Sequence, residues 1–465
     1  MDKVNKKEIS RRDFFKRMGA AGMAAGLAAC GGKGGTSANM AGDEATPGSM
    51  TYRSLTGDKV SLLGYGCMRW PMTDSPDGKG QVVDQETVNK LVDHALAHGV
   101  NYFDTAPPYC QGLSEKATGA ALSRHPRESY YIATKMSNHR FYGAGLRGKE
   151  LYDASVAMYH DSFKNLRTDY IDYYLFHILG TGAGLEEMRG RLYDCGVADF
   201  ILKEKEAGRI RKLGFSFHGD VKVFDYMLQE SGIPWDFVQI QLNYLDWRHA
   251  TGQNVNAEYL YNELANRNIP AVIMEPLLGG RLSKVHDHIV AKLKQREPAH
   301  SVASWAFRFA GSFPDVLTVL SGMTYMEHLQ DNLRTYSPLE PLTEEEFAFL
   351  QETADLMSQY QTIPCNDCNY CMPCPYGLDI PGILLHYNKC VNEGHMPQSS
   401  LDENYRKARR AFLVGYDRSV PRLRQANHCI GCGQCTPHCP QGIDIPKEMH
   451  RIDHFVEQLK QNCSI

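Results

Sequence analysis

The chain has 465 residues, of which 43 % are hydrophobic and 22 % charged, and that composition describes a folded protein too long for one ordinary core. Its formal net charge is −4 with no broad basic run, which excludes a nucleic-acid footprint. Of 14 cysteines, eight fall in two tight runs near the C-terminus, and such spacing points to metal ligation before disulfides.

The first segment reads as an address. Residues 1–17 are basic and contain Ser10-Arg11-Arg12-Asp13-Phe14-Phe15-Lys16, and a small apolar run over 18–29 follows. That run of twelve residues is too short to span a bilayer as a helix, so 1–29 reads as a signal peptide. The paired arginines resemble the twin-arginine export signal. Leu27-Ala28-Ala29-Cys30 resembles a lipobox, in which Cys30 becomes the lipidated first residue of the mature chain. The expectation is an exported, membrane-anchored lipoprotein facing the periplasm or the cell exterior. Residues 1–29 hold seven Lys/Arg and three Asp/Glu, so their removal leaves a mature chain at −8. Residues 30–49 are rich in Gly, Ser, Ala and Thr without apolar periodicity, which predicts a flexible tether.

From residue 50 to 342, short apolar runs alternate with amphipathic segments, the pattern of repeated βα units around a parallel sheet. Strands are predicted at 61–66, 102–104, 130–134, 171–176, 210–216, 237–242, 271–274 and 316–320. Eight such units imply an α/β fold closed as a (β/α)₈ TIM barrel. Residues 87–98 put Val88, Leu91, Val92, Ala95 and Leu96 on one face and stop at Gly99, which predicts a helix between the first and second of these strands. A barrel of this kind exposes its chemistry where strands end. The second strand ends at Asp104 with Tyr109 in its loop (NYFDTAPPY), the third at Lys135 (YYIATK) and the fourth at His177 (DYYLFH). Four groups with proton or charge chemistry thus converge on one rim.

These stretches resemble the aldo-keto reductases over about residues 50–335, through GYGCMR, DTAPPY with SEKATG, the ATK and FH strand ends, GFSFH, FVQIQLNY, EPLLGGRL, and SGM with DNL. The resemblance implies that Tyr109 is the general acid that protonates a carbonyl oxygen as hydride arrives from NAD(P)H. Lys135 would draw the Tyr109 pKa below its reference of about 10. Asp104 would hold Lys135, and His177 would orient the carbonyl. Ser216 and Gln239 match positions that hold the nicotinamide carboxamide; Leu277, Gly280 and Leu282 match the pyrophosphate loop, and Gly322 and Asn332 the adenosine end. Three positions depart from the family pattern. Phe217 replaces a frequent Asn, Met274 stands where an aromatic usually stacks on the nicotinamide, and the GMTY segment from Gly322 lacks a Lys or Arg for a 2′-phosphate. NAD versus NADP is therefore open.

Thr343 and Glu346 form a capping-box signature that opens a connecting helix over 343–362. Residues 363–465 then carry Cys365-x₂-Cys368-x₂-Cys371-x₂-Cys374-Pro and Cys429-x₂-Cys432-x₂-Cys435-x₃-Cys439-Pro. CPYGLDIP and CPQGIDIP repeat after them, so the segment is an internal duplication. Structural zinc takes two CxxC pairs from separate hairpins, whereas three thiolates at successive x₂ gaps wrap one face of a cubane. The spacing resembles bacterial two-cluster ferredoxins. That resemblance implies one [4Fe–4S] cluster on Cys365, Cys368, Cys371 and Cys439, and a second on Cys429, Cys432, Cys435 and Cys374, in a small, mostly helical domain. Cys67, Cys110, Cys195, Cys390 and Cys463 read as packing or surface residues, with Cys110 a candidate for the substrate pocket.

The sequence therefore suggests an exported oxidoreductase that acts on a small carbonyl or alcohol and is coupled to two clusters, with a possible redox partner protein. The alternative is an electron-transfer or nicotinamide-sensing module whose barrel turns over little.

Overall fold

The computed structural model describes residues 48–397, 399 and 401–461. The export motif, the lipobox at Cys30, nearly all of the tether and Cys463 lie outside them. No helix among the described residues is long and apolar enough to cross a membrane.

Eight parallel strands close a barrel in sequence order: β1 (Leu63–Gly66), β2 (Tyr102–Asp104), β3 (Tyr131–Met136), β4 (Ile171–Leu179), β5 (Ile210–Phe217), β6 (Phe237–Gln241), β7 (Ala271–Met274) and β8 (Val316–Ser321). All eight were legible as apolar runs because both faces are covered. Side chains alternate between two cores, as the two-residue period of a strand requires. Tyr173 and Leu175 of β4 point into the barrel with Tyr102, Ala133, Phe237 and Leu317, while Tyr174 and Phe176 pack outward beneath the helices. Gly214 lets β5 approach β6, since a Cβ there would stand 2.5 Å from Phe237 O. A two-stranded hairpin, Tyr52–Arg53 with Val60–Ser61, seals the opposite mouth: Tyr173 Oη donates to Asp58 Oδ2 at 2.8 Å, and Lys212 Nζ donates to Thr56 O at 2.8 Å.

The helix expected over 87–98 spans Gln85–Ala97, because Asp84 caps it by accepting from Thr87 N. The helix Glu344–Met357 carries the capping box that Thr343 and Glu346 predicted. Beyond it a second core forms from Ile383, Leu384, Tyr387, Phe412, Tyr416, Met449 and Ile452 on three helices, Ile380–Asn392, Tyr405–Ser419 and Ile445–Gln461. The duplicated DIP triplets have one structural meaning. Each Asp caps a helix that starts at the following Ile, with Asp379 accepting from Gly382 N and Asp444 from Lys447 N.

This helical unit sits on the rim at the C-terminal ends of the barrel strands. Arg69 donates to Asn366 O at 2.8 Å and pairs with Asp367 at 3.4 Å, Arg281 reaches Thr362 Oγ1 at 3.0 Å, and Asn392 donates to Lys284 O at 2.8 Å. Gly279 is packed so closely that a Cβ would meet Asn366 O at 2.2 Å.

Candidate active site

The strands deliver the four rim residues to one place. Asp104 ends β2, Lys135 is the penultimate residue of β3, and His177 lies where the pairing of β4 with β5 shifts register. An irregularity of this kind re-aims a side chain. Tyr109 follows the Pro107-Pro108 break. Lys135 Nζ donates to Asp104 Oδ1 at 2.5 Å and to Thr105 O at 2.7 Å, and the pair is buried. The same Nζ stands 4.8 Å from the centre of the Tyr109 ring, and the Tyr109 and His177 rings meet edge to face at 6.1 Å. His177 is fixed at both ends: its Nδ1 lies 2.7 Å from Ser137 Oγ, and Arg191 donates to its carbonyl at 2.7 Å.

Burial sets the proton affinities. Desolvation pushes Asp104 up and Lys135 down, each opposed by the other's charge, and a contact this short favours the ionised pair. His177 is held well below the ordinary imidazole range, first by burial and then by His139 and Lys135, so it is neutral at pH 7. Tyr109 is pushed well above the usual phenol range, first by burial and next by Tyr370. The net shift is upward, which corrects the expectation that the Tyr109 pKa lies below its reference. The ammonium is engaged by Asp104 and Thr105 O and faces the ring of a phenol that is shut away from water. The phenol is held as an acid.

Residues 62–355 match the model of the Aldo/keto reductase family, and residues 364–443 match that of the 4Fe-4S dicluster domain. The chain belongs to the aldo/keto reductase family. It is therefore an oxidoreductase, and its helical C-terminal region carries a 4Fe–4S domain. Relatives of this reductase include Probable aldo-keto reductase 1 of Glycine max, 32 % identical over 162 residues that make up 34 % of this chain and 42 % of that protein. L-galactose dehydrogenase of Arabidopsis thaliana is 25 % identical over 313 residues, 62 % of this chain and 88 % of that protein. Aldo-keto reductase AKR11C1 from Bacillus halodurans, in its holo form, shares the fold with a TM-score of 0.50 at 24 % identity, over 65 % of this chain and 96 % of that one.

A cavity of about 1360 Å³ opens at the reductase rim. Asp104, Tyr109, His177, Gln239 and Met274 line it, as do Leu277, Gly280, Leu282, Gly322 and Asn332. Lys135 stands behind Asp104 rather than in the lining. Ser216 and Gln239 are register partners on β5 and β6, and their buried Ser216 Oγ and Gln239 Oε1 have no hydrogen-bond partner. A carboxamide offers a donor and an acceptor in one plane, so these residues fit the nicotinamide end of a dinucleotide. Met274 Sδ accepts from Gln239 Nε2 at 3.4 Å, which puts a thioether beside that position. Although the GMTY segment has no cation, Arg69, Lys284 and Arg334 line the same cavity from other elements. Cys110 does not line it; its thiol turns back to Met68 O at 3.3 Å.

The cysteine runs come together crosswise. Cys365, Cys368, Cys371 and Cys439 line one small cavity, with Pro381, Leu384, Ile443 and Ile445 as an apolar shell. The Cys435 thiol feels Cys374, Cys429 and Cys432. None of the described cysteines forms a disulfide. Among the described residues no three ligand-type side chains close on a single ion, whereas a cubane's thiolates bind separate irons and stand further apart. Burial pushes Cys365 up to about 11 and Cys371 up to about 12, so as thiolates they would need the compensating charge of a bound metal.

Three residues in this site, Tyr370, Glu275 and Asn366, escaped the sequence. Tyr370, between Cys368 and Cys371, enters the catalytic cavity with Cys368, and its ring lies 6.4 Å from His139, which in turn lies 5.5 Å from His177. An aromatic between two ligand-spaced cysteines was the one signal for it. Glu275 follows β7 with a φ of +54° and accepts from Asn366 at 2.5 Å and Gln441 at 3.3 Å, binding the two units together. Burial, with Asp246 adding to it, pushes Glu275 up to about 7.

Proposed function

We propose that this protein reduces a small carbonyl compound, or oxidises the corresponding alcohol, with NAD(P)(H), and that two [4Fe–4S] clusters exchange electrons with that site. One observation carries the reading: Cys368 and Tyr370 line the same cavity as Asp104, Tyr109 and His177. Ser216, Gln239 and Met274 would hold the nicotinamide, with Leu277, Gly280, Leu282, Gly322 and Asn332 along the rest of the dinucleotide. The dinucleotide supplies or accepts the hydride, and the clusters supply or accept electrons singly.

The remaining chemistry belongs to the chain. Tyr109 Oη gives its proton to the carbonyl oxygen as charge develops there. Lys135, facing the ring, stabilises the phenolate left behind, and Asp104 keeps Lys135 charged and in place. Ser137 Oγ donating to His177 Nδ1 leaves the Nε2 proton for the same carbonyl oxygen. Tyr370 and the neighbouring cluster-loop residues restrict water, which strengthens each of these interactions.

Export and lipidation at Cys30 belong to the same proposal, supported by the Arg11-Arg12 motif and Leu27-Ala28-Ala29-Cys30. A mature N-terminus at lipidated Cys30 in mass spectra checks that part. Tyr109→Phe tests the chemistry: carbonyl reduction should fall at least about 100-fold with iron and dinucleotide retained. Unchanged reduction would sink the enzyme reading in favour of a sensing module.

A further inference from the structure

The two cysteine groups have different surroundings. Cys368 lines the catalytic cavity, whereas Cys432 is exposed on the other run. Around that exposed run the sign of the charge reverses. Between Asp417 and Asp444 the chain contains no carboxylate but carries Arg418, Arg422 and Arg424, all exposed, in a protein of net charge −4. Leu423 and Ile430 are 81 % and 61 % exposed beside them. Arg424 Nε donates to Gly377 O at 3.3 Å and Asp379 N donates to Arg424 O at 3.0 Å. Those bonds tie the arginine loop to the turn that bears Cys374 and the exposed Tyr376. Lone exposed apolar residues need no explanation, but Leu423, Ile430 and Tyr376 lie with three arginines on the turns next to the second group's cysteines, and although Arg422 pairs with Asp417 at 3.3 Å the patch stays net positive.

We propose that this face receives an acidic one-electron carrier protein, which exchanges electrons at the second cluster; this rests on the reading that both cysteine groups hold clusters. In each encounter the carrier loses one electron and the cluster gains one, with no bond made or broken. Two encounters supply the electron pair that reduction of a carbonyl consumes, and the two protons come from solvent through Tyr109 and the hydride site. Charge complementarity calls for an acidic partner, and the shape of the patch favours a protein over a membrane. The apolar side chains come from three short turns rather than one helix face, so they form a compact centre with a charged rim, as in small transient interfaces, and not the stripe of an interfacial helix. The first cluster's position on the cavity makes the second the outward port.

The test uses the full-length, iron-loaded protein under nitrogen, with reduced flavodoxin as an acidic one-electron probe and cluster bleaching followed by stopped flow. The triple variant Arg418→Glu, Arg422→Glu, Arg424→Glu should lower the second-order rate at least about tenfold at low salt, and the wild-type rate should fall steeply as salt rises. Methyl viologen radical, a small cation, should reduce the variant as fast as the wild type or faster. Any shift in cluster potentials read by EPR titration should be too small to account for that loss. Leu423→Ser with Ile430→Ser should slow flavodoxin several-fold while leaving the charges intact. Equal flavodoxin rates, no salt dependence, or a potential shift that accounts for the loss would overturn the proposal. So would arginine-dependent binding to phosphatidylglycerol vesicles with the flavodoxin rate unchanged. Iron analysis comes first, and a purified protein without clusters overturns the functional reading itself, a failure distinct from loss of docking.

Discussion

The two cysteine runs are copies in sequence and opposites in setting. The first is pressed against the barrel, held by Asn366, Asp367 and Thr362, and one of its loops contributes Tyr370 to the catalytic cavity. The second keeps the same spacing and the same DIP helix start but leaves Cys432, Ile430 and Leu423 at the surface. On the proposed reading a duplicated metal-binding motif serves two ends of one route, and what separates them is the surface that each copy packs against.

Serine substitutions should break that comparison most sharply. Cys368→Ser should remove one EPR signal and uncouple cluster oxidation from carbonyl turnover. Cys432→Ser should remove the other signal and cost the exchange with an external carrier. Indistinguishable phenotypes would mean that the two sites are equivalent. Lys135→Met comes next: leaving buried Asp104 without its partner should cost about 3–5 kcal/mol in denaturant unfolding, together with activity. A loss of activity with stability unchanged would place Lys135 outside the structural pair.

Acid distinguishes the barrel from the helical unit. His218, buried in the barrel, is held down to about 4 by burial alone, against an ordinary value of 6.5. The unfolded chain takes up this proton first, so His218 favours folding above pH 6.5 and loses that contribution as pH falls toward about 4. The loss should approach about 3 kcal/mol in unfolding experiments across that window, and His218→Gln should flatten it. Asn366→Ala is the mildest change. Removing its bond to Glu275 should cost about 1–3 kcal/mol and loosen the first run from the rim, seen as faster hydrogen exchange there without loss of the barrel.

The eight strands were readable because a parallel strand covered on both faces is a continuous apolar run, as β4 shows. The four rim residues were placed by the strand ends that carry them, and the crosswise grouping of the cysteines followed from the resemblance that their spacing carries. What stayed hidden depends on contact between distant segments. Tyr370, Glu275 and Asn366 acquire meaning only when the cluster loop lies on the cofactor loop at Gly279, a juxtaposition that no local pattern encodes. The direction of the Tyr109 shift was hidden for the same reason, since after burial the next cause raising it is Tyr370 from the other unit.

The central claim is that the barrel and the clusters share one redox cavity. The protein, reduced under nitrogen until both clusters are bleached and then freed of reductant, should regain its cluster absorbance when NAD(P)⁺ is added, alone or with a carbonyl substrate, at one reduced product molecule per two cluster electrons. Cys368→Ser should abolish that return. Clusters that stay reduced in the presence of both nicotinamide and carbonyl, with turnover unaffected, would contradict the account.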